Sequence, residues 1–301
     1  MVKEPCYICK GSRQETVVEQ TFKDPYLGLI FDHLNDEPEP RAIVVCMDCG
    51  FVSHFPTLTL QEIRILYKRY RDVSFRSETG DQYFDRITSL PKDQSLNYQK
   101  VQKLNPILDR VLPKRPVRTI YDVGAGGGVF LKTFLDNAWG SWEAYGVEAT
   151  RAYAELAARR LSIPVANAMY RPGLFGMRFD FITVIKVLEH ARDPIKLLKG
   201  IRRDLDNEGL VYIEVPSFRE IRTLPVDHDQ LTYTHLYFYS EPVLRYLCEQ
   251  ASFEVISLEE VPQPAGDWDL VAFLRKSKGR RRKPLMLPLQ DYREVLTLTQ
   301  R

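Results

Sequence analysis

Four of the five cysteines stand in two matched pairs, Cys6-x-x-Cys9 and Cys46-x-x-Cys49. Two residues between thiolates allow a tight turn that aims both sulfurs at one ion, and Gly11 and Gly50, just after the pairs, relax that turn. Four soft ligands closed to substrate suit structural Zn²⁺, so Cys6, Cys9, Cys46 and Cys49 are the expected metal ligands. Disulfides fit a cytosolic chain badly, and a redox pair would normally stand alone beside a strand–helix–strand unit. A second chemistry is written in Tyr121-Asp122-Val123-Gly124-Ala125-Gly126-Gly127-Gly128. Glycines at 124, 126 and 128 let the backbone pass close under a ligand and turn sharply into a helix. The dinucleotide pattern G-x-G-x-x-G is not met, because Val129 stands where its third glycine would fall. Glu148 follows Gly124 by 24 residues, and a carboxylate at a strand end there accepts hydrogen bonds from both hydroxyls of a ribose. Proton removal would fall most readily to imidazole, and the chain has five: His33, His54, His190, His228 and His235.

These groups need a scaffold, and the hydropathy pattern supplies one. From residue 117 onward, apolar runs of strand length alternate with helical periodicity: Val117–Val123, helix 129–137, Glu143–Val147, a helix from Thr150 to Arg160, Phe179–Ile185, a helix opened by Asp193-Pro194, Leu210–Val215, a helix after Ser240, then strands near 254–258 and 269–274. Near-continuous apolar strands mean a sheet buried on both faces, and the alternation argues a doubly wound α/β fold. Before it, Ala42–Val45 reads as a strand, and Thr59-x-x-Glu62 caps a helix bearing Ile63, Leu66, Tyr67 and Tyr70 on one face. Residues 72–95 are weakly patterned and read as a loop, with Tyr83 and Phe84 able to form a lid. Leu96–Val111 reads as a helix broken or kinked at Asn105-Pro106, and Cys248 as a core residue. The expected organisation is a metal module at 1–58, a helical linker or lid at 59–115, the α/β domain at 116–275 and a flexible basic tail at 276–301.

Composition narrows the classes. With 301 residues, 44% apolar and 27% charged, the chain can bury a core and is neither disordered nor collagen-like. No apolar run approaches the roughly 20 residues that cross a bilayer, and no secretory h-region opens the chain, which predicts a cytoplasmic protein. The net charge of +2 hides an asymmetry: residues 275–283, RKSKGRRRK, hold seven basic side chains, so the remainder carries +2 − 7 = −5.

Residues 117–275 resemble a class I S-adenosylmethionine-dependent methyltransferase, through YDVGAGGG (121–128), YGVEAT (145–150), FDFITVIKVLEHARDP (179–194) and GLVYIEVP (209–216). The resemblance implies sheet order 3-2-1-4-5-7-6 with the last strand antiparallel, and S-adenosyl-L-methionine as cofactor. It implies Asp122, Gly124, Ala125, Gly126 and Gly128 on the methionine and ribose side, Glu148 on the ribose hydroxyls, Asn167 and Ala168 by the adenine, and Ile185 and Lys186 beneath. The whole arrangement, with CGFVSHFPTLTLQEIRILYKRY (49–70) and the run Thr232–Ser240, resembles zinc-ribbon methyltransferases of polysaccharide and deoxysugar pathways. That likeness implies a small acceptor, a nucleotide-linked sugar, methylated at O or C. His235 is the expected base, with Tyr233 and His190 as further catalytic candidates. Where the sugar enzymes carry His-Glu before that histidine, this chain has Tyr233-Thr234. Arg219 and Arg222 are candidates for a diphosphate, since guanidinium forks match phosphate oxygens. Two alternatives are an RNA methyltransferase, through the ribbon and the basic tract, and a non-catalytic cofactor-binding docking protein. An N-P-P-[YF] motif after strand four is absent.

Overall fold

The computed structural model describes residues 4–19, 24–34, 41–69, 78–225, 227–263, 266–278 and 288–299. In chain order the strands are β1 (Gln14–Glu19), β2 (Ala42–Cys46), β3 (Val52–Phe55), β4 (Val117–Val123), β5 (Ser141–Glu148), β6 (Val165–Asn167), β7 (Phe179–Ile185), β8 (Leu205–Pro216), β9 (Tyr237–Phe238), β10 (Phe253–Pro262) and β11 (Trp268–Lys276). The helices are α1 (Pro25–Leu34), α2 (Leu60–Arg69), α3 (Gly80–Thr88), α4 (Leu96–Val111), α5 (Val129–Asn137), α6 (Arg151–Leu161), α7 (Pro194–Asp204), α8 (Glu220–Thr223), α9 (Glu241–Gln250) and α10 (Tyr292–Thr299).

The expected α/β sheet is present: seven strands in the order β10-β11-β8-β7-β4-β5-β6. Strands β6, β5, β4, β7 and β8 run parallel, and β11 is antiparallel to both β8 and β10, which is the order 3-2-1-4-5-7-6. Side chains alternate between the two faces. Tyr121, Val123, Ile182 and Val184 enter one core with α7 and α9, while Ile120 and Phe181 enter the other with Phe130 and Phe134 of α5.

Several expectations change. Helix α4 is not a linker: Val101, Leu104 and Leu108 fill the second core, and Asn105 bridges Asn137 O and Trp139 N. It also runs through Pro106 as one helix. Within 72–95 lies α3, opened by a Thr79–Gln82 capping box and tied to α6 through Asp81 with Arg159 and Arg160, and through Asp85 with Arg160. Its signal was the cap rather than the periodicity. Phe84 is buried under the Arg160 guanidinium and so packs on α6, not over a site as a lid.

The N-terminal strands form a second sheet, β1-β2-β3-β9, whose fourth strand comes from the run 232–240 of the large domain. The end of the chain joins it, against the expectation of a tail outside the fold. Leu289 N and Gln290 N donate to Cys49 O, and Val295 of α10 is buried among Ile43, Val45, Val52 and Phe238. Residues 279–283 of the basic tract lie outside the described residues. Placing a carboxylate in this apolar cluster costs about 3 kcal/mol or more. Val295→Asp is therefore expected to lower stability by that amount in denaturant titration, while Ala at the exposed Glu294 stays within about 0.5 kcal/mol.

Candidate active site

The glycine loop passes from β4 to α5 with Gly124, Gly126 and Gly128 all at positive φ (80°, 53° and 84°). Gly124 N and Ala125 N both donate to Val147 O, at 2.8 and 3.0 Å, which stitches the loop to β5. A Cβ on Gly124 would lie 2.4 Å from Val187 Cγ2, whereas one on Gly126 would meet nothing within 4 Å. Glu148, at the end of β5, accepts from Gly126 N (3.0 Å) with one oxygen and from Thr150 N (2.7 Å) with the other. Its carboxylate is thereby oriented and keeps lone pairs for a ligand. The loop opens onto a cleft of about 840 Å³.

Of the residues expected at the cofactor, Gly124, Gly126, Glu148, Ala168, Ile185 and Lys186 border this cleft. Four do not. Asp122 is buried beneath the loop, where it accepts the Thr183 hydroxyl at 2.6 Å, and burial pushes its carboxyl up to about 6. Ala125 is buried, and Gly128 faces Ala157 and Leu161 of α6. The Asn167 side chain donates to Glu148 O and Ala149 O, both at 3.1 Å, so it fastens the strand end. Unexpected walls come from Tyr67, Thr150, Tyr153, Met169 and Tyr170. Tyr67 had been visible only as part of a helix stripe.

Past β7 the chain turns at Lys186, which takes a left-handed φ of 55° and pairs through Nζ with Asp269. Burial alone would lower this ammonium, yet Asp269, Glu189 and Glu214 raise it above its ordinary value. The short turn Leu188–His190 follows. His190 borders the cleft, and its Nδ1 donates to Thr234 O at 2.6 Å. Its ring meets that of His235 edge-on at 4.8 Å, and Nε2 lies 4.0 Å from Glu189 Oε1. Glu189 is fully buried with neither oxygen hydrogen-bonded, and His235 Nδ1 is buried without a partner. Burial pushes the Glu189 carboxyl up to about 8, against Lys186, and holds His235 well below the usual imidazole range. Nothing in the local pattern of Leu188-Glu189-His190 singles out Glu189.

Tyr233 does not join this cluster. Its hydroxyl donates to Phe55 O at 3.0 Å and its ring stacks on His54 at 4.2 Å, so it is turned into the N-terminal sheet. His54 Nδ1 donates to His235 O at 2.6 Å, which occupies the side chain away from the cysteines. The side chains of His33 and Arg222 lie outside the described residues. Arg219 is spent on Glu260, at 2.8 Å, and on the Trp268 ring.

At the N-terminus the two cysteine pairs converge. Cys6 Sγ is 3.5 Å from Cys49 Sγ, and Cys9 Sγ is 3.4 Å from Cys46 Sγ. All four sulfurs lie within 4.8 Å of one another, and none is in a disulfide. Each pair sits in a tight turn, closed by Lys10 N to Cys6 O and by Gly50 N to Cys46 O.

Sheet order, glycine loop and strand-end carboxylate together define the class I S-adenosylmethionine-dependent methyltransferase fold. The chain belongs to the methyltransferase-domain family, which it matches over residues 96–258, and it is an enzyme of that type. Among curated proteins it is similar to the tRNA U34 carboxymethyltransferase of Campylobacter jejuni, 24% identical over 177 residues covering 52% of this chain and 55% of the relative. The Campylobacter lari counterpart is 31% identical over 96 residues, 29% of this chain and 32% of the relative. The chain thus spans about half the length, or less, of the curated relatives it matches. Two solved structures share the fold at 14% identity and a TM-score of 0.50. The plantazolicin methyltransferase BpumL in complex with SAH covers 71% of this chain and 95% of its own, and the magnesium protoporphyrin IX methyltransferase of Synechocystis PCC 6803 with bound SAM covers 73% and 99%. Among the described residues, no helix is long and apolar enough to cross a membrane.

The left-handed loop yields a local test. Gly124→Ala combines an unfavourable φ with a backbone-proximal clash on Val187. It is expected to lower stability by about 1–3 kcal/mol, read by denaturant unfolding, whereas Gly126→Ala loses only the φ component.

Proposed function

We propose that the enzyme moves the methyl group of S-adenosylmethionine to an oxygen or carbon of a small carbohydrate-type acceptor, one carried on a nucleotide. Glu148 holds the two ribose hydroxyls, Gly124 and Gly126 give the methionine end close access to backbone, Ala168 and Asn167 lie at the adenine side, and Ile185 and Lys186 form the floor. Asp122 acts from beneath, by holding β4 to β7 through Thr183. The cofactor brings an activated methyl; the chain must hold the acceptor about 3 Å away and take its proton. That task falls to Glu189, His190 and His235, the expected base His235 working behind the cleft-facing His190 rather than with Tyr233.

What supports the choice of acceptor is a set of buried carboxyls beside the cleft, two of which, Glu189 and Glu220, burial pushes up to about 8 and so keeps largely protonated near pH 7. Glu189, Glu214, Glu220 and Asp269 are all buried around Lys186. A polyhydroxylated ligand can exchange hydrogen bonds with such groups, which both donate and accept. A second reading, RNA as substrate, is favoured by the tRNA-modifying relatives and by the basic tract. Arg171 and Lys196 at the cleft border, rather than Arg219, are the cations for a diphosphate.

The N-terminal module, 1–58, is read as a structural zinc ribbon. Tetrahedral Zn–S bonds of about 2.3 Å place sulfurs about 3.8 Å apart, close to the spacing of the four Sγ atoms, and a reducing cytoplasm keeps them as ligands. In this reading the methyltransferase unit begins with α4 and not at residue 116.

Mass spectrometry of nucleotide-sugars incubated with enzyme and S-adenosylmethionine is expected to find one acceptor heavier by one methylene. Methylated tRNA and an unchanged sugar panel would replace this reading with the second. Glu148→Ala is expected to weaken S-adenosylhomocysteine binding about 10- to 100-fold by calorimetry. His235→Ala should cut turnover by about 100- to 10,000-fold with that affinity nearly unchanged. Metal analysis is expected to give about one zinc per chain, lost on replacing Cys46 and Cys49.

A further inference from the structure

The parallel strands β4, β5, β7 and β8 all begin at one end of the large sheet, and antiparallel β11 finishes there. The cofactor cleft lies at the other end, about 20 Å away along the seven residues of β4. We propose that this far end docks a single-stranded nucleic acid, with Trp139 as the platform for one base and the neighbouring cations on the phosphates. The strand order β11-β8-β7-β4-β5 sets the groups in a row about 19 Å long. Lys276 closes β11, Asn207 lies at the start of β8, Arg178 precedes β7, Arg115 precedes β4 and Trp139 precedes β5.

At one end of the row the positive charges are uncompensated. Arg178 Nη1 and Lys276 Nζ both donate to one neutral oxygen, Asn207 Oδ1, at 3.4 and 3.3 Å. Arg202 stands close by, with Nε on Ser252 O at 3.1 Å, the carbonyl that also takes Ser277 N from the end of β11. None of these three cations forms an ion pair among the described residues, and Asp206 is engaged by Arg115 at 3.5 Å. Partial burial and the guanidinium groups of Arg178 and Arg202 hold the Lys276 ammonium below its ordinary value, against Asp206. Like charges brought together repel, and a bound phosphate relieves that repulsion. At the other end of the row Trp139 is 54% exposed, and its ring meets no aromatic or cationic side chain among the described residues. Its backbone is nonetheless fixed, since Trp139 N donates to Asn105 Oδ1 and its carbonyl accepts Trp142 Nε1, both at 2.9 Å. An indole held in water on a rigid backbone is a ready stacking face for a base. Beside it Lys114, Arg115 and Arg118 border a concavity of about 420 Å³. The Lys114 pair with Asp109 is exposed on both sides, so it contributes little and phosphate can replace the carboxylate. Among the described residues, Trp139 and Val117 are the large apolar side chains exposed along this row, whereas a helix lying on a membrane presents a whole apolar face. A linear polyanion with stacking bases fits the row better. The surface lies apart from the transfer site, so it is independent of which acceptor the cleft takes.

Fluorescence anisotropy with a labelled single-stranded RNA of about 12 nucleotides tests the surface. Arg178→Gln combined with Lys276→Gln is expected to flatten the dependence of log Kd on log salt by about 1.4, the share of two phosphates. Trp139→Ala is expected to weaken binding about tenfold with that slope unchanged. S-adenosylhomocysteine affinity should be the same in both variants, which shows that the fold is kept. No RNA binding, binding that either variant leaves unaltered, or equal affinity for duplex RNA overturns the proposal. So does Trp139-dependent binding to vesicles of phosphatidylcholine and phosphatidylserine without binding to RNA, which would make this end a membrane contact. RNA bound as described, with no nucleotide methylated, upholds the surface and leaves the sugar reading of the cleft intact.

Discussion

The arrangement depends on one short pairing, β3 with β9, by which the N-terminal sheet takes hold of the run 232–240. Around it the backbone next to His235 is tied down by several hydrogen bonds. His54 N donates to Leu236 O at 3.0 Å, Leu236 N donates to Glu189 O at 2.8 Å, and Tyr233 N reaches Asp24 Oδ2 at 2.7 Å. Each such bond contributes only about 1 kcal/mol net, but together they fix the backbone from which the imidazole projects. The N-terminal module is therefore part of the site's geometry. A metal holding its two knuckles would stiffen β2 and β3, and through them the position of His235.

The second determinant is the cost of buried charge. Glu189 and Glu220 are fully buried with no hydrogen-bond partner on either oxygen, and burial pushes both carboxyls up to about 8. Glu214 behaves in the opposite way: burial would raise it, but Lys100 at 2.7 Å prevails and holds it below the usual range. A fold tolerates unpaired buried carboxyls only where something else supports them, and such groups collect at functional sites. Here they collect around Lys186, which borders the cleft at the end of β7. The left-handed turn at Lys186 is what brings the ammonium among them.

What was legible in the sequence follows from range. The strands, the glycine loop and Glu148 were readable because strand runs and a strand–loop–helix junction are local patterns that the backbone must obey, whereas the order of the strands came from the family resemblance. The cysteine convergence was readable because each knuckle is a closed turn. Tyr233 was misjudged because its partners, Phe55 and His54, lie about 180 residues away and no local pattern encodes such a contact. Glu189 was missed for the same reason: its isolation is created by elements that come together only in the fold. The C-terminal segment was read as a tail because PLMLPLQ and the arginines lack a period. Yet Leu289 and Gln290 close on Cys49 O, and Val295 fills a hole that β2 and β3 leave open.

The division of labour between shared and private parts bears on how far the relatives can guide function. The family match, 96–258, contains the glycine loop, Glu148 and most of the cleft wall, though not Tyr7, Leu60 and Tyr67, and also Glu189, His190 and His235. The residues that fix the last of these, Asp24, His54 and Phe55, lie before it, and the segment that braces β2 and β3 lies after it. A chain sharing only the central region would share the means of binding the cofactor but not the means of aiming this cluster. Under the proposed function, acceptor choice is set where the cluster is aimed. The tRNA-modifying relatives, matched over about half their length, therefore speak for the cofactor side far more strongly than for the acceptor side.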